Sequence, residues 1–182
     1  MVLKNRVTIP FSFLTNFSVD HFDVDSHSTQ KRFINCFHVQ LVASLKHLWL
    51  YHFQLGDLDQ LHAALCLLRN SPNLESLHMI LHTDDNEPRV DVGPASNHFE
   101  TLNSLDCTLN GLKTVEIASL KGSKPEMLFI KLLLTHSPCL EKFTITPSRA
   151  LNAKKILDIA KDVMQLPRAS TKAKIFYLDP LP

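Results

Sequence analysis

Glycine is scarce, with four in 182 residues, and that removes several nucleotide-binding and cofactor-binding signatures at once. Gly111 and Gly122 read as turn residues, and neither opens a phosphate-cradling loop that ends in Lys-Ser or Lys-Thr. There is no GxSxG element, so scattered Ser, His and Asp residues carry no sign of a nucleophilic triad. The four cysteines, Cys36, Cys66, Cys107 and Cys139, contain no CxxC unit. A thiol zinc site and a disulfide scaffold are both unsupported, and the spacing suits a reducing compartment, cytoplasmic or nuclear. Long hydrophobic runs are also missing: the richest, residues 127–134, is interrupted by Lys131 and falls well short of the roughly 18–20 apolar residues needed to span a bilayer. Near the start, Ile9, Pro10 and the polar residues after Leu14 break up any signal-peptide core.

Net charge is almost absent as well, at +1, which argues against a chain-wide attraction to nucleic acid or lipid. That balance hides an asymmetry. Residues 1–112 hold seven Lys/Arg against twelve Asp/Glu, whereas residues 113–182 hold twelve against six. The basic second part can steer an acidic partner, or it can simply be the wet face of a repeat.

What the chain does have is repetition. Four segments follow a Leu-x-x-hydrophobic-x-hydrophobic pattern: Leu45, Leu48, Leu50; Leu74, Leu77, Met79; Leu112, Val115, Ile117; and Leu140, Phe143, Ile145. Their middle positions are separated by 29, 38 and 28 residues. Two intervals fit a leucine-rich period and the third holds an insertion. Within each segment the last two apolar residues are two apart, so they share one side of a short strand, and the first leucine enters from the turn before it. One such strand cannot bury its apolar face alone, but four stacked in parallel can.

The segments between are suited to helical returns. In residues 57–70, Leu58, Leu61, Leu65 and Leu68 form one helical stripe, and Ser71–Pro72 ends it before Leu74. Residues 123–136 repeat the design: Ser123 and Glu126 have capping-box spacing, Pro125 sits in the first turn, and Met127, Ile130 and Leu134 share a face. Ser137–Pro138 then leads into Leu140. A third helix is expected over residues 151–166, with Ile156, Ala160 and Val163 along one face, joined by Leu157 and Met164. A closing strand follows over residues 173–178, with Ile175 and Tyr177 on one side. The start is less regular: residues 6–14 and 17–24 are apolar enough for strands, and 25–32 reads as a turn. The acidic stretch at about residues 83–97 reads as an exposed loop.

This grammar predicts an α/β leucine-rich-repeat solenoid, with a parallel sheet on its concave face and helices on its outer face. The carrying segments LDQLHAALCLLRNSPNLESL, LNGLKTVEIASLKGSKPEMLFIKLLLTHSPCLEKFTI and LPRASTKAKIFYL resemble the C-terminal part of plant F-box proteins that join leucine-rich repeats to an FBD domain. The resemblance implies two regions. Residues 1–108 would hold an irregular N-terminal part and leucine-rich repeats with the acidic loop, and 109–182 an FBD-like repeat and C-terminal cap. In that family an F-box module recruits SKP1 and a cullin scaffold, while the repeats select a substrate for ubiquitination. No segment of this chain matches an F-box, so the resemblance implies a substrate-recognition portion that meets the scaffold only through an upstream F-box. The implied partner is a substrate protein of unspecified identity, and no cofactor or enzymatic activity is implied.

Strand alternation supplies the candidate surface. The residues flanking each inward hydrophobe point away from the core, giving His47, Trp49 and Tyr51 on one strand and His78 and Ile80 on the next. Glu116 on the third and Lys142 and Thr144 on the fourth complete the candidate protein-binding set. Trp49, Tyr51 and His78 lead it, because aromatic side chains desolvate a large rigid area while keeping a polar tip. The competing reading packs Trp49 against the N-terminal part and uses Tyr51 to close a local core.

The ten histidines raise the question of a metal. None lies in HExxH or a Cys/His zinc pattern, and on a strand His78 and His82 stand roughly 13 Å apart. Asp84, Asp85, Glu87 and Asp91 lack EF-hand order. The alternative function is a structural or nucleic-acid-associated repeat protein. It draws on Lys154, Lys155, Lys161, Arg168, Lys172 and Lys174, whose phosphate attraction would show as salt-dependent retention.

Overall fold

The computed structural model of the chain describes residues 6–10, 45–82 and 108–180, the first of these through the backbone alone. The expected strand over 17–24, the turn over 25–32 and the acidic loop lie outside these residues.

Nine elements follow one another. They are β1 (Arg6–Pro10), β2 (His47–Phe53), α1 (Leu58–Arg69), β3 (Ser76–Leu81), β4 (Thr114–Leu120), α2 (Lys124–His136), β5 (Lys142–Pro147), α3 (Ala153–Gln165) and β6 (Lys174–Tyr177). The strands form one six-stranded parallel sheet in sequence order. The repeated pattern sets the register: Leu48 pairs with Leu77, Leu77 with Val115 and Val115 with Phe143. All four are fully buried, and the entering leucines Leu45, Leu74, Leu112 and Leu140 are no more than 4% exposed. Each such side chain contributes about 1.5–3 kcal/mol by leaving water.

The same turn closes repeatedly. The amide of Leu74 donates to the Ser71 carbonyl at 3.1 Å, Leu112 to Leu109 at 3.2 Å, Leu140 to Ser137 at 3.2 Å and Leu151 to Ser148 at 3.2 Å. Strand entries are tied by shared carbonyls. Lys46 O accepts from Glu75 and Ser76, Glu75 O from Lys113 and Thr114, and Lys113 O from Glu141 and Lys142, at 2.8–3.1 Å.

The helices form where the spacing predicts, but their buried faces differ in detail. In α1, Leu61, Leu65 and Leu68 are buried together with Ala64 and Leu67. In α2 the buried set is centred on Phe129, Ile130 and Leu133, and Met127 is only partly covered; α3 packs against α2. The expected capping box is present. The Ser123 hydroxyl accepts from the Glu126 amide, while the Glu126 carboxylate accepts from the Ser123 amide at 2.8 Å and the Lys121 amide at 3.2 Å. In α3 the inner face belongs to Ile159 and Val163. Leu157 and Met164 lie on the far side of the helical wheel and are 54% and 47% exposed, which corrects their assignment to the packed face.

Strict alternation also fails at two strand ends. The register slips between Tyr51 and Phe53 on β2 and between Ala118 and Leu120 on β4. The extra residues, His52 (φ 54°) and Ser119 (φ 64°), take left-handed backbone. Each bulge delays the third inward hydrophobe by one residue, so that Phe53 and Leu120 still reach the core, at 1% and 0% exposure. Immediately after β4, Gly122 (φ +71°) turns the chain toward α2; a Cβ there would lie 2.5 Å from the Ile159 side chain.

Candidate functional site

Because every strand keeps the same register, the outward side chains form rows across the sheet. One row runs Trp49, His78, Glu116, Thr144 and Phe176, and another runs His47, Ser76, Thr114, Lys142 and Lys174. Tyr51, Ile80, Ala118 and Thr146 make a third.

The β2–β3–β4 end is an ordered aromatic and polar patch. The Trp49 indole lies flat on the His78 imidazole, with ring centres 4.0 Å apart and planes 8° from parallel, and Tyr51 stacks on Trp49 at 6.1 Å and 18°. On its other side His78 Nδ1 is 2.9 Å from Glu116 Oε2. His47 Nδ1 is 2.6 Å from the Ser76 hydroxyl. Trp49, Tyr51, His78, Ile80 and Glu116 are all half-buried. The Trp49 ring is stacked on its neighbours and still reaches the surface; the competing packing against the N-terminal part falls on side chains outside the described residues.

Below this patch, at the strand entries, Glu75 bridges Lys46 at 3.3 Å and Lys113 at 3.1 Å. Hydrogen bonds from Lys113 and then Lys46 hold the Glu75 carboxyl below its ordinary range.

Not every expected position is open. Thr144 lies on the predicted face but is only 4% exposed, and Thr146 is equally covered. Thr144 stands in its row between Glu116 and Phe176, and its burial leaves little of it open to a partner. Lys142 is exposed at the other end of the sheet, its Nζ 5.6 Å from the centre of the Phe176 ring. Three strand spacings, roughly 14 Å, separate it from the Trp49 end. Reading β6 as a closing cap left its outward residues, Lys174 and Phe176, out of the ladder. The signal was available in the alternation, since Ile175 and Tyr177 facing inward turn their neighbours outward.

Among the described residues no three His, Cys, Asp or Glu side chains gather as a metal site, and no helix is long and apolar enough to cross a membrane. Cys66 is half-buried, and burial pushes its thiol up from the ordinary value.

Fold and surface together define an α/β protein of recurring parallel strands, helices behind them and side chains arrayed in rows in front. A family model described as FBD matches residues 100–145. Among curated proteins of Arabidopsis thaliana, the chain is 32% identical to an F-box/FBD/LRR-repeat protein over 74% of its own length and 31% of the relative's. It is 30% identical to an FBD-associated F-box protein over 58% of its length and 26% of that relative, and 29% identical to an F-box/LRR-repeat protein over 84% and 33%. These matches show the chain to be similar to plant F-box/FBD/LRR-repeat proteins. It spans about a quarter to a third of the length of the curated relatives it matches. No solved structure matches it.

Proposed function

We propose that this chain is the protein-recognising portion of an F-box-type ubiquitin-ligase adaptor, and that it holds a substrate rather than transforming one. In this reading the parallel sheet is the concave face of a leucine-rich-repeat solenoid, the helices are its outer face, and the FBD-like segment closes the end. The carrying observation is the outward row in which Trp49 is stacked on His78 and His78 is hydrogen-bonded to Glu116. Such a patch is ordered before a partner arrives, so little side-chain entropy is lost when it is covered, which suits an interface anchor. His47, Tyr51 and Ile80 border it, and Lys142 adds a charge at the far end.

The F-box names of the relatives favour ubiquitination as the setting, with an SKP1-like scaffold bound through an upstream F-box of a full-length product. The test is proximity labelling in plant cells with a full-length product containing this chain, comparing the native sequence with Trp49→Ala/His78→Ala. The expected result is loss of a defined set of labelled proteins, with labelling of the SKP1-like scaffold retained. An unchanged set in the folded variant overturns the assignment of the patch, and absence of the scaffold from both overturns the adaptor reading.

A further inference from the structure

Where polar groups of neighbouring repeats meet along this sheet, they are complementary: Lys46 and Lys113 flank Glu75 at 3.3 and 3.1 Å at the strand entries, and His78 Nδ1 is 2.9 Å from Glu116 Oε2. The β5–β6 end departs from that rule. Lys142 and Lys174 are register partners, both exposed, and among the described residues neither has a carboxylate within ion-pair distance. Like charges facing each other across two strands repel, so an anion placed between them would relieve the pair. The lysines stand beside apolar surface. Phe176, under the Lys142 ammonium, is 43% exposed, and Leu178 is 47% exposed. Lys174, Phe176 and Leu178 alternate with Ile175 and Tyr177, which pack against the core, and so they share the outward side.

The backbone adds a second feature. The Lys174 amide donates to Glu141 O at 2.9 Å and the Leu178 amide to Ile145 O at 2.8 Å, so these residues turn their main chain toward β5. By alternation the main-chain groups of Ile175 and Tyr177 face the other edge, and among the described residues no strand pairs there.

We infer that the β5–β6 end is a docking stripe for an extended segment of a partner protein in which an acidic residue and bulky apolar residues occupy alternate positions. The segment lies along β6 as an added strand, with its carboxylate beside Lys174 on the face that Lys142 also shares, and its apolar side chains against Phe176 and Leu178. This inference rests on the reading of the outward face as a protein-recognition surface, and it specifies the chemistry of the chain recognised. A nucleic acid is the poorer fit. Phosphate tracking uses a longer run of cations than two lysines, and an open strand edge and an aliphatic Leu178 match a peptide backbone and its side chains.

The experiment measures fluorescence anisotropy of labelled synthetic peptides against the full chain. One peptide alternates Ser with Glu, Leu and Phe, and its twin carries Lys in place of Glu. The Glu peptide is expected to bind at least about tenfold more tightly than the Lys twin, with an affinity that falls as salt rises. Lys142→Glu/Lys174→Glu, checked for native circular dichroism, reverses that preference, and Phe176→Ser weakens both peptides. Leu157→Ser, on the helix behind the sheet, leaves binding unchanged. Equal affinity for the twins, no binding of either, or an unaffected double variant overturns the inference. So does tighter binding of a single-stranded oligonucleotide that the double variant abolishes. If these peptides fail while Trp49→Ala/His78→Ala still removes the labelled partner set, the docking stripe falls and the broader recognition reading stands.

Discussion

At the scale of single residues, backbone conformation makes the sharpest demands. Gly122 combines a positive φ with a Cβ position already occupied by Ile159. Gly122→Ala is therefore expected to destabilise the fold by about 1–3 kcal/mol, from the left-handed backbone and the displaced Ile159 together. Ser119 poses the opposite case, since it carries a side chain at φ 64°. Ser119→Gly removes that conformational cost and is expected to gain up to about 1 kcal/mol. Urea unfolding of the two variants reads both, and equal signs would contradict the assignment of strain. Neither φ value was legible in the sequence. The bulges did leave a trace in the strands HLWLYHF and TVEIASL, where the third inward hydrophobe comes three residues after the second instead of two. A period-2 reading passes over that delay.

At the scale of elements, two glutamates at element boundaries titrate in opposite senses. Glu126 in the first turn of α2 is only 8% exposed, and burial raises its carboxyl above the ordinary 4.5 despite the amides that bond it. Its charged form therefore costs stability above that raised value, and the cost disappears as the pH falls through it toward 4.5. Glu75, at the entry to β3, is lowered by its two lysines. It contributes stability above 4.5 that is lost as the pH falls through its folded value. Thermal melts over a pH series are expected to show Glu126→Gln improving relative to the native chain as the pH rises from 4.5 toward neutrality. Glu75→Gln is expected to fall behind as the pH rises toward 4.5 from below. A common direction for the two would refute this pairing of causes.

Helix α2 was readable down to its cap, because Ser123, Pro125 and Glu126 act through local backbone geometry. The burial of α3 was not, since which apolar flank meets the sheet depends on neighbours distant in sequence, and that choice left Leu157 and Met164 in water. The outward rows were legible wherever alternation held. The burial of Thr144 was not, because it depends on packing across the sheet rather than on alternation along β5.

At the scale of the molecule, the inward residues of successive strands form one continuous interior, so damage in one repeat spreads to its neighbours. Val115 is wholly buried between Leu77 and Phe143. Val115→Ala is expected to cost about 1–3 kcal/mol and to lower the single unfolding transition as a whole, monitored by circular dichroism and tryptophan fluorescence together. Separate transitions by the two probes would show that the strands unfold independently. A sheet of this kind also has to solve an ordering problem, since its strands are similar enough to be mistaken for one another during assembly. The entry positions Lys46, Glu75, Lys113 and Glu141 alternate in sign, so a strand that skips its neighbour brings two like charges side by side at these four positions, whereas the native succession there pairs opposite ones. The rim thus works as an address system: it adds little to the finished structure and discourages the chain from threading itself in the wrong sequence.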